Sequence, residues 1–356
     1  MGIPEKSLIG ERAQRVYERL NQGTDGEWGM DRNAWDWVPG VGVISQLAYY
    51  ERNGSPEIIA DLRRWVAANR HRAGAVNVIN SMAPYAIFPA LYRLTGESGL
   101  LEEAKRIGDW MRFEAPRTRG GAWEHTVTED ASFPEQVWAD TVFMAALFMS
   151  RLARVTGQEE YAEEAVRQLT LHLRQLQDEA TGVLFHGWDC RAGNPLSGAR
   201  WTRANAWIAL ATPMMLEELK PFGTIPDEVP ERYRTLMTAL GRYQLEGGLW
   251  PTVLDRPDFY TETSGSAGIA CGILYGIRQG LLEPKLQAVA DRALPAVLER
   301  IGSDGTVTGV SGGTPVLQTV EHYNEVPCYP TLYGQGLALM LLAEYNGAKG
   351  VSGDGE

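Results

Sequence analysis

The lengths of the connections between helical windows constrain this chain more than any motif in it. Apolar residues recur at helical spacing over 5–22, 36–53, 55–71, 82–95, 99–115, 135–156, 158–178, 202–220, 227–245, 262–281, 285–301 and 333–347, and convincing strand patterns are few. Some of these twelve windows are joined by short turns such as "TGES" (95–98) and "TGQEE" (156–160). Others are separated by long links rich in glycine and aromatics, as in "PRTRGGAWEHTVTEDASF" (116–133) and "TGVLFHGWDCRAGNPLSGARW" (181–201). Long connections of this kind within a compact domain are usually functional. Twelve helices joined alternately by short and long links suit six helical hairpins closed into a double ring, with the long loops gathered at one end. The expectation is an all-α (α/α)6 barrel. No linker of Pro, Ser or charge divides the chain, so 1–346 reads as a single barrel domain. The segment "GAKGVSGDGE" (347–356) reads as a disordered tail.

Composition narrows the function classes. Of 356 residues, 44% are hydrophobic, enough for a sizeable core, and the net charge of −12 argues against nucleic acid as a partner. The first twenty residues lack the apolar core of a signal peptide, and no apolar run is long enough to suggest a membrane span. Cys190, Cys271 and Cys328 are odd in number and far apart, which implies neither a disulfide framework nor a zinc site. The expectation is a cytoplasmic, soluble protein, monomer or homodimer, without metal or organic cofactor. Nine of the eleven tryptophans, Trp28, Trp35, Trp37, Trp123, Trp138, Trp188, Trp201, Trp207 and Trp250, fall in loops or near helix ends. Core packing accounts for such indoles, and so does stacking on the C–H faces of sugars.

One acid is conspicuous. In "FPEQVWADTVFMAALF" (133–148), Asp140 sits among Val137, Trp138, Ala139, Val142, Phe143 and Met144. A carboxylate in apolar surroundings is costly unless it is paired or protonated. Ser132 and Glu135 have capping-box spacing with Pro134 in the first turn, so a helix is expected to start there and carry Asp140 about two turns in. Residues 137, 140, 144 and 147 would then share one face. Burial would raise the Asp140 carboxyl and the helix N-terminus would lower it. The plain structural alternative is an Asp tied to the backbone amides of a neighbouring loop.

"FHGWD" (185–189) offers His186, Trp188 and Asp189 around a glycine, either as site residues or as a turn in which Asp189 binds backbone amides. "WTRANAW" (201–207) puts Arg203 near a helix N-terminus, where a cation is unfavourable. An anionic partner would compensate, and a sugar carboxylate is one candidate. His125 and Asn80 read first as satisfied polar residues in loops. Glu262 reads first as a helix start, and Gly312-Gly313-Thr314 has no phosphate-loop context.

Taken in order, the blocks "APRTRGGAWEH" (115–125), "PEQVWADTVFMA" (134–145), "TGVLFHGWD" (181–189), "WTRANAWIALA" (201–211), "GLWPTVLDRPDFYTETSGSAG" (248–268) and "LYGQGLALMLLAEY" (332–345) resemble the unsaturated glucuronyl and rhamnogalacturonyl hydrolases, glycoside hydrolase families 88 and 105. The match is closer to family 105 and covers nearly the whole chain. The resemblance implies an (α/α)6 barrel, in agreement with the helix count. It implies removal of a 4,5-unsaturated uronic acid from the non-reducing end of lyase-generated oligosaccharides, by protonation at C4 and addition of water at C5. Asp140 matches the family's catalytic acid. Arg203 falls where the family places a substrate-contacting arginine, and His125, His186, Trp201 and Trp207 match other pocket positions. Trp37 lies where the first inner helix supplies an aromatic wall. Two departures stand out. The family's two glycines in the arginine block are Ala204 and Ala206 here, methyl groups expected beside the pocket, and the second inner Asp of family 88 corresponds to Asn80.

Two other readings fit the same barrel. An inverting glycanase or epimerase would want a second essential carboxylate, with Asp189 or Glu262 as candidates. A non-catalytic glycan-binding barrel would keep the tryptophans and need no acid.

Overall fold

The computed structural model describes residues 3–23, 26–73, 77–128, 132–223 and 225–347. Twelve α-helices follow one another: α1 (Lys6–Leu20), α2 (Trp37–Asn53), α3 (Pro56–Asn69), α4 (Phe88–Thr95), α5 (Ser98–Phe113), α6 (Leu147–Thr156), α7 (Glu159–Leu176), α8 (Thr202–Leu219), α9 (Glu228–Tyr243), α10 (Thr263–Arg278), α11 (Gln287–Glu299) and α12 (Leu332–Asn346). The even-numbered helices form the inner ring. Neighbours pack in the order α2, α4, α6, α8, α10, α12, and α12 returns to α2 to close it, with the turn Asn80–Ile87 joining α4 to its neighbours. Each odd-numbered helix from α3 to α11 packs outside the inner helix before it, and α1 packs on α12. The fold is an (α/α)6 barrel.

The two rings differ in composition because they differ in solvent. Inner helices such as α12 are buried on every side from Leu332 to Ala343, whereas outer helices such as α7 bury one stripe, including Tyr161, Ala165, Leu169 and Leu173. Inner helices α2, α4 and α6 end at Gly54, Gly96 and Gly157, with φ of 74°, 74° and 67°. That left-handed conformation costs glycine no Cβ clash, and it lets the chain reverse into the outer helix within a few residues. The returns from outer to inner helix are the long ones, so the N-termini of the inner helices share one rim. Asp36, Glu262 and Thr331 cap three of them, accepting from the amides of Trp37, Gly265 and Gly334.

Two expected boundaries need correction. The window 82–95 begins as a 3-10 turn, Asn80–Ile87, and becomes α4 only at Phe88. Pro84 has no N–H to continue an α-helical ladder. The larger change lies at 135–156. Glu135 takes φ +62°, which a helix cannot hold, and its amide donates to Glu124 Oε1 at 2.8 Å. Ser132 and Glu135 therefore form no capping box. Residues Gln136–Trp138 form a short strand, β1, paired antiparallel with β2, Gly187–Asp189. The helical segment starts at Asp140, passes through a π turn at Val142–Ala146 and continues as α6. Val137, in the strand, shares no helical face with 140, 144 and 147. The expected tail, apart from Gly347, lies outside the described residues. Among the described residues no helix is long and apolar enough to cross a membrane.

The inner ring is tightest between α8 and α10. A Cβ on Gly272 would lie 2.4 Å from the Ala209 carbonyl oxygen, and one on Gly268 would lie 2.9 Å from the Ala206 Cβ. The Ala206 methyl therefore fills a helix–helix contact, and neither Ala204 nor Ala206 borders the pocket described below. Gly272→Ala is expected to destabilise the fold by about 1–3 kcal/mol through overpacking against rigid backbone. Gly99→Ala, in open space on α5, is the control and should raise stability by up to about 1 kcal/mol. Urea unfolding of the two variants checks the contrast.

Candidate active site

At the rim where the inner helices begin lies a cavity of about 380 Å³. Its wall is aromatic and polar: Trp28, Trp37, Trp138, Trp201, Phe133, Tyr329 and Tyr333, with Asn80, His125, Asp140, Thr314 and Thr331. Asp140 is the one acidic side chain in that wall among the described residues, and no Lys or Arg accompanies it. The inner helices begin at this rim, and helix N-termini favour anions.

Strand pairing places the acid. In the β1–β2 ladder Trp138 lies opposite Gly187, and the Ala139 amide then donates to the His186 carbonyl at 3.1 Å. The next side chain on one loop, Asp140, thereby meets His186 on the other. Asp140 Oδ2 lies 3.3 Å from His186 Nε2, in ion-pair range but without hydrogen-bond alignment. Such contacts are often loose before substrate arrives. His186 is fully buried and Asp140 is 14% exposed. Burial raises the Asp140 carboxyl, but His186, His125 and its own backbone amide outweigh that and leave it below the ordinary value. The acid is therefore ionised at neutral pH in the ligand-free site, although burial acts the other way. Burial lowers His186 and pushes His125 down to about 4, so both imidazoles are neutral. His125 stacks on Trp138 at 4.4 Å and bonds Thr141 Oγ1 through Nδ1 at 3.0 Å.

Of the residues singled out from sequence, Trp37, Asn80, His125, Asp140 and Trp201 come together in the cavity wall. His186, Arg203 and Trp207 do not. His186 stands behind Asp140, and Trp207 packs in the barrel core against Phe143 at 5.0 Å. Arg203 is the clearest correction. Its side chain is 0% exposed, and the anion that its helix-terminal position called for is Glu262, at 3.5 Å and equally buried. Its Nη1 donates to the Ser311 carbonyl at 3.0 Å and to the Ser311 hydroxyl, and its Nη2 donates to the Gly312 carbonyl at 2.8 Å. The guanidinium lies over Trp201 at 4.2 Å and over Tyr333 at 4.6 Å. With both Nη atoms bound to protein, only the buried Nε unpartnered and both faces of the guanidinium covered, Arg203 presents no free fork to the cavity. It holds the 311–314 loop and two aromatic walls in place.

Asp189 and Glu262 are both structural. Asp189 accepts from the amides of Arg191 and Ala192 at 2.7 and 2.9 Å, and Glu262 caps α10 while binding the Ser311 amide at 3.0 Å. Neither lines the cavity, so neither is placed to be the second carboxylate that an inverting glycanase would use. Sequence reading passed over Thr331, Tyr329 and Tyr333 as site residues, and it set Gly313 and Thr314 aside for want of a phosphate-loop context. The long 301–332 connection, with "GGTP" and "CYPTLY", was the available signal. Among the described residues no three His, Cys, Asp or Glu side chains gather as a metal site requires.

A family model, Glycosyl Hydrolase Family 88, matches residues 8–348. The chain belongs to this family. The family 88 protein is 39% identical over 318 residues to the unsaturated rhamnogalacturonyl hydrolase YesR of Bacillus subtilis (strain 168), covering 87% of this chain and 89% of that one. Two solved structures, each a possible member of the GH105 family, superimpose with TM-scores of 0.91. The one from Salmonella enterica serovar Paratyphi A is 28% identical and the one from Klebsiella pneumoniae 27%, and for each the match covers 96% of this chain and 94% of the other. These relatives place the protein with family 105, and it is a glycosidase.

The Arg203 geometry yields a sharp expectation. Arg203→Met leaves Glu262 buried without its cation, so stability should fall by roughly 3–5 kcal/mol. Chemical denaturation checks it. A stable variant with only a raised KM would instead mark a ligand-facing arginine.

Proposed function

We propose that this glycosidase removes a 4,5-unsaturated uronic acid from the non-reducing end of lyase-generated oligosaccharides, with Asp140 as the proton donor. The observation that carries the reading is one carboxyl, Asp140, in an aromatic cavity, backed by a buried imidazole and with no second acid in the wall among the described residues. Double displacement and inversion at C1 both use two carboxyl groups. Hydration of an enol ether needs one acid that can then serve as base. Asp140 gives its proton to C4, and electron density from the ring oxygen leaves an oxocarbenium ion at C5. The Asp140 carboxylate then takes a proton from water as the water oxygen bonds to C5. The resulting hemiketal opens, and the aglycone departs as an alcohol. Trp37, partly exposed, offers a face for the sugar, Trp138 and Trp201 complete the wall beside it, and Asn80, His125, Thr314 and Thr331 offer polar contacts.

Substrate binding supplies what the empty site lacks. A uronate beside Asp140 brings a like charge and expels water, and both effects favour the protonated acid. The names of the relatives support the same substrate class, since YesR acts on unsaturated rhamnogalacturonyl groups and an Alteromonas relative, 27% identical over 213 residues, is an unsaturated 3S-rhamnoglycuronyl hydrolase. The reading treats 1–346 as one catalytic unit and requires no metal or organic cofactor. Three free cysteines support placement in a reducing, cytoplasmic compartment.

Asp140→Asn keeps the shape and removes the transferable proton. Turnover, followed as loss of the ultraviolet absorbance of the conjugated double bond, should fall about 10²–10⁴-fold with the melting temperature retained. A variant that melts early but keeps its activity per folded molecule would assign Asp140 a structural role.

The pH dependence has a definite sign. The acid must be protonated, so kcat/KM falls as pH rises past the lowered Asp140 transition. His186→Gln removes the main neighbour that lowers Asp140 and leaves burial, which raises it, less opposed. The fall in kcat/KM should move to higher pH in that variant, and an unmoved or acid-shifted profile contradicts the assignment.

A further inference from the structure

Behind His186 stands a residue that the chemistry above does not use. Tyr323, fully buried on the 3-10 turn Glu321–Glu325, lies within the long connection that precedes α12. Its hydroxyl is 2.7 Å from His186 Nδ1, on the side of the imidazole away from Asp140. The Leu317 amide donates to the same hydroxyl at 3.2 Å, and Ser197 Oγ lies 3.5 Å away.

We propose that Tyr323 is a positioning residue that fixes the tautomer of His186 and, through it, the Asp140 oxygen that carries the transferable proton. A phenol has one proton to give and lone pairs to receive. The Leu317 amide can only donate, so it occupies a lone pair. The phenolic proton then has two acceptors within reach, and Nδ1 at 2.7 Å is far the closer. With Nδ1 accepting, the proton of the neutral imidazole sits on Nε2, which faces Asp140 Oδ2. Oδ2 is buried and has no other partner, so it is the oxygen that this N–H engages. Oδ1 is left to hold the acidic proton.

The surroundings support this assignment. His186 is packed against Trp201 at 4.4 Å and Trp138 at 5.6 Å, and the Tyr323 ring meets it edge-on at 5.7 Å, so the imidazole cannot turn over. The charged groups acting on it are Asp140 and, beyond Trp201, Arg203, whose positive charge disfavours an imidazolium. Burial raises the Tyr323 phenol, which keeps its proton available for Nδ1. The inference rests on the reading of Asp140 as the acid.

The test combines ¹⁵N NMR of histidine-labelled protein with kinetics of Tyr323→Phe, which keeps the ring and removes the hydroxyl. The expected result is an Nε2–H tautomer for His186 in the parent, assigned by its loss in His186→Gln. In Tyr323→Phe that tautomer gives way to a mixture, and kcat falls on the order of 10–100-fold at little-changed KM, the range for outer partners that orient a histidine. An Nδ1–H tautomer in the parent overturns the proposal, even if the variant fails to fold. So does a folded Tyr323→Phe enzyme with parental kcat. The tautomer signal needs no substrate, so an active Asp140→Asn enzyme would sink the acid assignment without disturbing it.

Discussion

A buried guanidinium organises this barrel at its working end. Taking the Arg203 charge out of water costs several kcal/mol, and the fold offsets it with Glu262, the carbonyls of Ser311 and Gly312, and two aromatic faces. The result is a column of planar groups. Trp37 stacks on Tyr333 at 4.9 Å, Tyr333 covers Arg203, Arg203 covers Trp201, and Trp201 packs on His186 at 4.4 Å. Elements from α2, α8, α12 and the loop before β2 are thereby tied together. Three members of that column, Trp37, Tyr333 and Trp201, also line the cavity. Specific partners on every side leave little freedom to any of them, and rigidity of this kind is what a pre-organised site needs.

The second constraint is the pairing of two loops. β1 and β2 are only three residues each, yet their register decides which side chains meet. A shift of one residue would turn every side chain of β1 to the opposite face and separate Asp140 from His186. The π turn that follows Asp140 joins this irregular start to the regular helix α6, and such turns recur at functional sites. On the proposed reading, the short ladder is what gives the acid, Asp140, a fixed neighbour. The barrel supplies a dry, aromatic enclosure and a ring of helix N-termini that suits an anionic sugar.

Architecture was legible in the sequence because it depends on local pattern and chain length. Twelve amphipathic or apolar windows with alternating short and long links lead to two rings with all long loops at one rim. The structure agrees to within a few residues at most helix ends, as at α1, α2 and α7. The functional loops were less legible. Val137 and Trp138 fit a strand as well as a helix, and only a partner strand some fifty residues away decides between them. Glu262 as a helix cap and Asp189 as a turn residue were readable, since each binds amides within three residues of itself.

Arg203 shows the limit most clearly. Its place near a helix N-terminus demanded an anion, and an anion is there. Whether that anion is a ligand or Glu262 depends on how α8 and α10 pack, and no local pattern carries that information. Tyr323 is the same case, because 137 residues separate it from His186 and nothing in either neighbourhood announces the other. By itself the sequence determined the helices, their alternation, the ring they close and the one acid that stands out from its apolar setting. Tertiary structure alone decided which groups face the cavity and which stand behind it, and it set the ionisation of Asp140. Burial, charge pairing and tautomer are properties of what surrounds a side chain, and those surroundings come from segments far apart along the chain.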